Sequence, residues 1–221
     1  MNVICVNAVN AMMSFPTEGV PMTRTVGIFV FDDVEVLDFA GPYEVFTCAS
    51  RVSAAMAPGT PRPFDVVTIG QSTARLRARA GLSVLPEAGF DNAGQLDVLI
   101  VPGGVVTAEL AKPAVARWIA ATAPLCEIVA SVCTGAFLLA QAGLLDDQDV
   151  TTHWEDIDDL RSMFPRLRVQ PQRRWIDNGR IVTSAGISAG IDMSLHLVER
   201  LAGRELALRT ARQMDYDWNE G

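Results

Sequence analysis

Three short segments carry residues whose type and spacing suit covalent chemistry. The first is Ser131-Val132-Cys133-Thr134-Gly135-Ala136, where an apolar strand ends and a helix begins at once. A reactive residue on such a turn is the nucleophile-elbow arrangement, with cysteine in place of serine. So sharp a turn needs small neighbours two before and two after, here Ser131 and Gly135. A helix N-terminus beneath the sulfur favours thiolate over thiol, which predicts a nucleophilic Cys133. A small buried hydrophobe, the common fate of free cysteine, is the alternative reading.

The second segment, Val101-Pro102-Gly103-Gly104, is another strand end. Its paired glycines are either a plain turn or a backbone that approaches a ligand closely. Beside an elbow, the N–H groups of Gly104 and Thr134 form a candidate oxyanion site. The third, Leu37-Asp38-Phe39-Ala40-Gly41-Pro42-Tyr43-Glu44, places an acid between apolar residues ahead of a Gly-Pro turn. Asp38 is either a helix cap or a carboxyl group near the thiol, as proton shuttle or hydrogen-bond partner. Of the two histidines, His196 lies beside the apolar stripe of a helix and reads as structural. His153, in Thr151-Thr152-His153-Trp154, is the candidate base for a Cys-His pair. Two histidines and scattered cysteines offer no metal-ligand cluster, so no metal is expected.

The elements that must position these residues alternate. Strands are expected at Val26–Phe31, Phe64–Ile69, Asp97–Val101 and Glu127–Val132, with helices at Gly41–Arg51, Pro113–Thr122 and Thr134–Ala142. Gly143 is placed to end the last of these, and the three prolines of Ala54–Pro63 predict a loop. Trp175-Ile176, Asp177-Asn178-Gly179 and Arg180–Thr183 read as a hairpin. Ile187, Ile191, Leu195, Val198 and Ala202 form one helical stripe closed by Gly203, before a final helix from Glu205 to Tyr216. This order predicts an α/β fold with a mostly parallel sheet and helices on both faces, and ligands bind outside the carboxyl ends of such strands.

The 221 residues carry 18 Lys+Arg against 26 Asp+Glu, a net charge of −8, and 49% are hydrophobic. An acidic chain without a basic cluster speaks against a nucleic-acid partner. No apolar run reaches the length of a membrane span. Cysteines at 5, 48, 126 and 133 suggest neither a disulfide framework nor a paired metal site, which fits a reduced, cytoplasmic setting. Residues 1–21 are apolar and then loop-like, without the positive start of a secretory signal. They are expected to be an N-terminal extension, or else an added strand or arm, ahead of a single domain over 22–221.

Asp97-Val-Leu-Ile-Val-Pro-Gly-Gly104, Val132-Cys-Thr-Gly135, Thr151-Thr-His-Trp154 and Thr183-Ser-Ala-Gly-Ile-Ser-Ala-Gly-Ile-Asp192, in this order, resemble the ThiJ/PfpI superfamily of glutamine amidotransferase-like proteins. The resemblance spans Val26 to Trp218 and implies a flavodoxin-like sandwich, a homodimer and no cofactor. Within it, Leu37–Tyr43 and the Cys-Thr-Gly elbow are similar to the isonitrile hydratase branch. That likeness implies Cys133 as nucleophile, Asp38 as acid/base, Thr134 beside the elbow, and Ala185, Gly186, Ile187 and Ser188 lining the pocket of a small-molecule substrate. The implied reaction hydrates an isonitrile to an N-substituted formamide. Peptidase-like members carry His after the cysteine, where this chain has Thr134; deglycase-like members carry glutamate at the acid position, where it has Asp38. Arg180–Gly186 and Arg212-Gln-Met214 also resemble the ligand-sensing domain of AraC-type regulators. A stand-alone sensor, another thiol hydrolase or lyase, or a stress protein with an oxidisable cysteine therefore remain as alternatives.

Overall fold

The computed structural model describes residues 22–221; the expected N-terminal extension lies outside the described residues. The first strand, β1 (Arg24–Phe29), leads into α1 (Val36–Met56), followed by β2 (Phe64–Gly70), β3 (Ala88–Gly89) and β4 (Val98–Val101). Then come α2 (Pro113–Thr122), β5 (Ile128–Val132) and α3 (Gly135–Gln141). The hairpin β6 (Trp175–Asp177) and β7 (Ile181–Ser184) precedes α4 (Ala189–Ala202) and α5 (Arg204–Gln213).

The seven-stranded sheet runs β6-β7-β5-β4-β1-β2-β3, parallel throughout except for the β6–β7 hairpin. β4 and β5 are buried along their whole length. This explains their continuous apolar sequences, since helices cover both faces of such a sheet. α1, α4 and α5 pack together in one layer, and α2 and α3 in another. The arrangement is the flavodoxin-like sandwich expected from the sequence.

Several helix boundaries differ from the sequence reading, which also did not include the edge strand β3. α1 begins at Val36 and passes through Gly41-Pro42, which build no turn. Gly41 instead admits α4: a Cβ there would lie 3.0 Å from Ile191 Cγ1. The helix also continues to Met56, three residues into the expected loop. At the other end, α4 starts at Ala189, so Ile187 stands outside it, and α5 stops at Gln213. Gly203 does separate these helices, at φ 96°. Gly143 follows α3 with φ 76°, where its N–H donates to Ala140 O.

Candidate active site

β5 delivers Cys133 at its carboxyl end with φ 56°, in the left-handed region that L-residues avoid. The turn is held from every side. Cys133 N–H donates to Ser184 O and Ala185 O at 3.2 and 3.3 Å, and its carbonyl accepts the Thr152 hydroxyl at 2.8 Å. Gly135 is required here, because a Cβ would fall 2.0 Å from Val101 O. The sulfur-bearing residue is only 7% exposed, at the wall of a cavity of about 390 Å³.

Asp38 sits in the first turn of α1 yet makes no capping bond, so the cap reading fails. Its carboxyl group is fully buried: Oδ2 accepts the Gly103 N–H at 3.1 Å, and Oδ1 has no hydrogen-bond partner. Burial raises its pKa to about 7, against the lowering effects of the Gly103 N–H and of Cys133 beside it. Burial also raises the Cys133 thiol, and the charge of Asp38 raises it further, against the Thr134 N–H. The expected resting thiolate is therefore corrected. A seven-residue helix does not offset desolvation plus an adjacent carboxylate. Thiol and acid instead form a buried pair that loses its first proton with difficulty.

Thr134 and Gly104 meet, but not as a pair of free amides. The Gly104 N–H donates to Thr134 Oγ1, and the Thr134 hydroxyl donates to Gly104 O, both at 2.9 Å. The Gly104 amide is thus committed to Thr134 while the Thr134 N–H acts on the thiol, so the expected two-amide oxyanion site is not formed. The threonine hydroxyl reaches Gly104 because Gly103 packs against Thr134 N, where a Cβ would fall at 2.5 Å.

His153 lines the same cavity as Cys133 without a hydrogen bond to it. Its Nδ1 faces Asp156 Oδ2 at 3.3 Å and Glu155 Oε2 at 3.9 Å, while its Cδ2 edge packs on Gly186. His153 thus lines the pocket but forms no Cys-His pair with Cys133. Ile187 lines the Cys133 cavity; Ala185 and Gly186 do not. Ala185 is drawn into the sheet by its N–H bond to Arg174 O and turns its carbonyl to the elbow. With His153, Trp154 and Ile187, these two residues line a neighbouring cavity of about 370 Å³. His196, read as structural, stacks on Trp175 and places Nε2 2.7 Å from Asp177 Oδ2.

Sequence reasoning missed the roles of Thr152 and Gly103, although both lie in segments it had marked. It also missed the ion pair of Glu35 and Arg79 at the cavity rim, which joins residues 44 apart. Among the described residues, no group of three or more His, Cys, Asp or Glu could hold a metal ion, and no helix is long and apolar enough to cross a membrane.

The model of the DJ-1/PfpI family matches residues 24–200. The HTH-type transcriptional regulator GbdR of Pseudomonas aeruginosa is 31% identical over 194 residues, 88% of this chain and 51% of the regulator. The chain thus spans about half the length of that relative. Isonitrile hydratase of Pseudomonas putida is 32% identical over 197 residues, 88% of this chain and 79% of the enzyme. Among solved structures, a THiJ/PfpI family protein from Pseudomonas syringae superposes with a TM-score of 0.78 at 24% identity, covering 94% of this chain and 81% of the other.

Proposed function

Because the chain belongs to the DJ-1/PfpI family, we propose that it works through its buried Cys133–Asp38 pair as an isonitrile hydratase-like enzyme. The observation that carries this reading is the unpartnered Oδ1 of Asp38 beside the elbow thiol, with a pKa near 7. A general acid/base works best with its pKa close to the operating pH. Proton transfer from the thiol to Asp38 accompanies attack of the sulfur on the isonitrile carbon. A C–S bond forms, Asp38 returns the proton to that carbon, and the product is a thioformimidate, R–N=CH–S–Cys133. Water then adds to the same carbon, a proton passes to nitrogen, and the C–S bond breaks. The formamide R–NH–CHO leaves and the thiol is restored. The net change is one water added, with no oxidant or cofactor. A homodimer taking a small, uncharged substrate completes the proposal.

Incubation with a small aryl isonitrile, followed by chromatography for the formamide, tests this directly. Product that requires both Cys133 and Asp38 supports the reading; no product across several isonitriles refutes it. The match to GbdR favours one other reading, a ligand-sensing domain. Ligand binding that persists in Cys133→Ser, without turnover in the wild type, would favour that sensor.

A further inference from the structure

Ile187 is a β-branched residue at φ 48°, a genuine backbone outlier, and it stands on the wall of the Cys133 cavity. Such a conformation persists only where the surroundings over-determine it. The surroundings here are specific. On its N-terminal side, Gly186 is pressed against the His153 ring, where a Cβ would lie 2.1 Å from Cδ2. Ala185 is tied to Arg174 O and to the elbow amide. On its C-terminal side, Ile187 O and Ser188 O accept the N–H groups of Gly190 and Ile191 at 3.2 and 3.1 Å, opening α4.

One turn into that helix lies Asp192, fully buried and ion-paired with Arg174. The Arg174 guanidinium also reaches Ser188 Oγ at 3.3 Å. A segment from beyond α5 closes the arrangement. Asn219 N–H donates to Asp192 Oδ1 at 2.9 Å, the Trp218 indole N–H donates to Asp192 O at 3.1 Å, and Tyr216 OH reaches Ser188 O at 3.5 Å. None of these groups lines the Cys133 cavity. Their shared effect is to fix both ends of a four-residue loop of which Ile187 alone lines the Cys133 cavity.

We propose that Ile187 sets the width of substrate admitted to Cys133, and that Arg174, Asp192 and the Tyr216–Asn219 segment are positioning residues that hold it there. The inference rests on Cys133 being the reactive group of the site, and not on the identity of the electrophile. Truncating Ile187 widens the cavity; loosening the Asp192 network lets the loop relax from its left-handed conformation, with the same consequence.

The test uses two thiosulfonates, methyl methanethiosulfonate and its benzyl-thio counterpart. Each transfers its thio group to Cys133, forming a disulfide and expelling methanesulfinate, with the thiol proton passing to buffer. Labelling rates at Cys133, Cys48 and Cys126 are followed by peptide mass spectrometry. For the wild type, Cys133 should favour the small reagent. Ile187→Ala should raise the benzyl-to-methyl rate ratio at Cys133 about tenfold or more, the low end of the discrimination that one methylene group gives in a pocket. Asp192→Asn and the milder Trp218→Phe should raise it in the same direction, with labelling of the buried Cys48 and Cys126 unchanged.

An unchanged ratio in Ile187→Ala overturns the width assignment. Equal acceleration at all three cysteines in the network variants, Trp218→Phe included, reduces the network to a general structural role and overturns the positioning assignment. Formamide formation, assayed on the same proteins, is a separate readout: its absence sinks the hydratase reading and leaves the labelling result intact.

Discussion

Asp38→Asn should make the protein more stable above neutral pH while removing its chemistry. The side chain is fully buried, and its pKa rises from 3.8 to about 7, chiefly through desolvation. The folded state therefore holds the proton more tightly than the unfolded chain does. That contribution to stability is complete below about pH 4 and is lost as the pH climbs through 7. A shift of about three units at ~1.4 kcal/mol each corresponds to about 4 kcal/mol between those limits. Asparagine keeps an oxygen for the Gly103 N–H and has no charge to desolvate, so the variant lacks this pH-dependent loss. The measurement is urea denaturation of both proteins from pH 4 to 8.5. The stability difference, wild type minus variant, should fall by about 3–4 kcal/mol over that range. In thermal scans this is about 10 °C, at roughly 2–4 °C per kcal/mol for a domain of this size. A flat difference, or a wild type that gains on the variant as pH rises, would refute the reasoning that burial governs this carboxyl group.

Three other outcomes follow from the same geometry. Alkylation of Cys133 by iodoacetamide should still be climbing at pH 9, with no plateau near 7, because burial and Asp38 raise the thiol; a plateau at neutral pH would show a resting thiolate. Asp38→Asn should speed that alkylation severalfold at pH 8 by removing the adjacent charge, while formamide production falls by about a hundredfold or more, the usual size of a general acid/base contribution. Thr134→Val should cost about 1–3 kcal/mol in denaturant titrations, since it leaves the partly buried Gly104 N–H without its acceptor; an unchanged midpoint would mean that water replaces the hydroxyl freely.

The elbow was legible because its requirement is local. Strand, reactive residue and helix are consecutive, although the demand for Gly135 itself comes from Val101 O at the end of the neighbouring strand β4. The central strands of the sheet were legible for a similar reason, as β4 and β5 are short runs buried on both faces, whereas the two-residue edge strand β3 is too short to carry a pattern. Asp38 was only half legible. The sequence shows an acid among apolar residues, but a cap and a buried acid differ in where α1 starts, and Gly41-Pro42 looked like a turn until α4 was packed against it. The fates of Gly104 and of the thiol were not legible at all. Each depends on a partner 30 or more residues away, the hydroxyl of Thr134 in one case and the carboxyl of Asp38 in the other. Ile187 was assigned to a helical stripe by its spacing; its φ of 48°, between a Gly186 pressed on His153 and the start of α4 at Ala189, takes it out of that helix.

The unpaired carboxyl group also bears on what kind of site this is. A cavity that only bound a ligand would gain nothing from a buried acid whose Oδ1 has no partner, and an amide in its place would spare about 4 kcal/mol at high pH by the shift above. A site that must accept a proton from a thiol and return it to carbon needs a group that changes state near neutral pH, within reach of the sulfur. In the proposed mechanism Asp38 would meet that need because no cation pairs with it: an arginine in contact would hold its pKa low and fix it as a carboxylate, whereas the charge of Arg79 lowers it by less than burial raises it. Arg79, the guanidinium nearest to that role, is instead paired with Glu35 at the rim, 3.1 Å away. The ion pair at the rim and the unpaired acid beside the thiol thus belong to one arrangement, so Glu35→Gln, by removing a charge that raises Asp38 and by freeing Arg79, should lower the Asp38 pKa and shift the acidic limb of any formamide-forming activity to lower pH. An acidic limb that stays in place in that variant would mean that neither charge of the rim pair reaches Asp38.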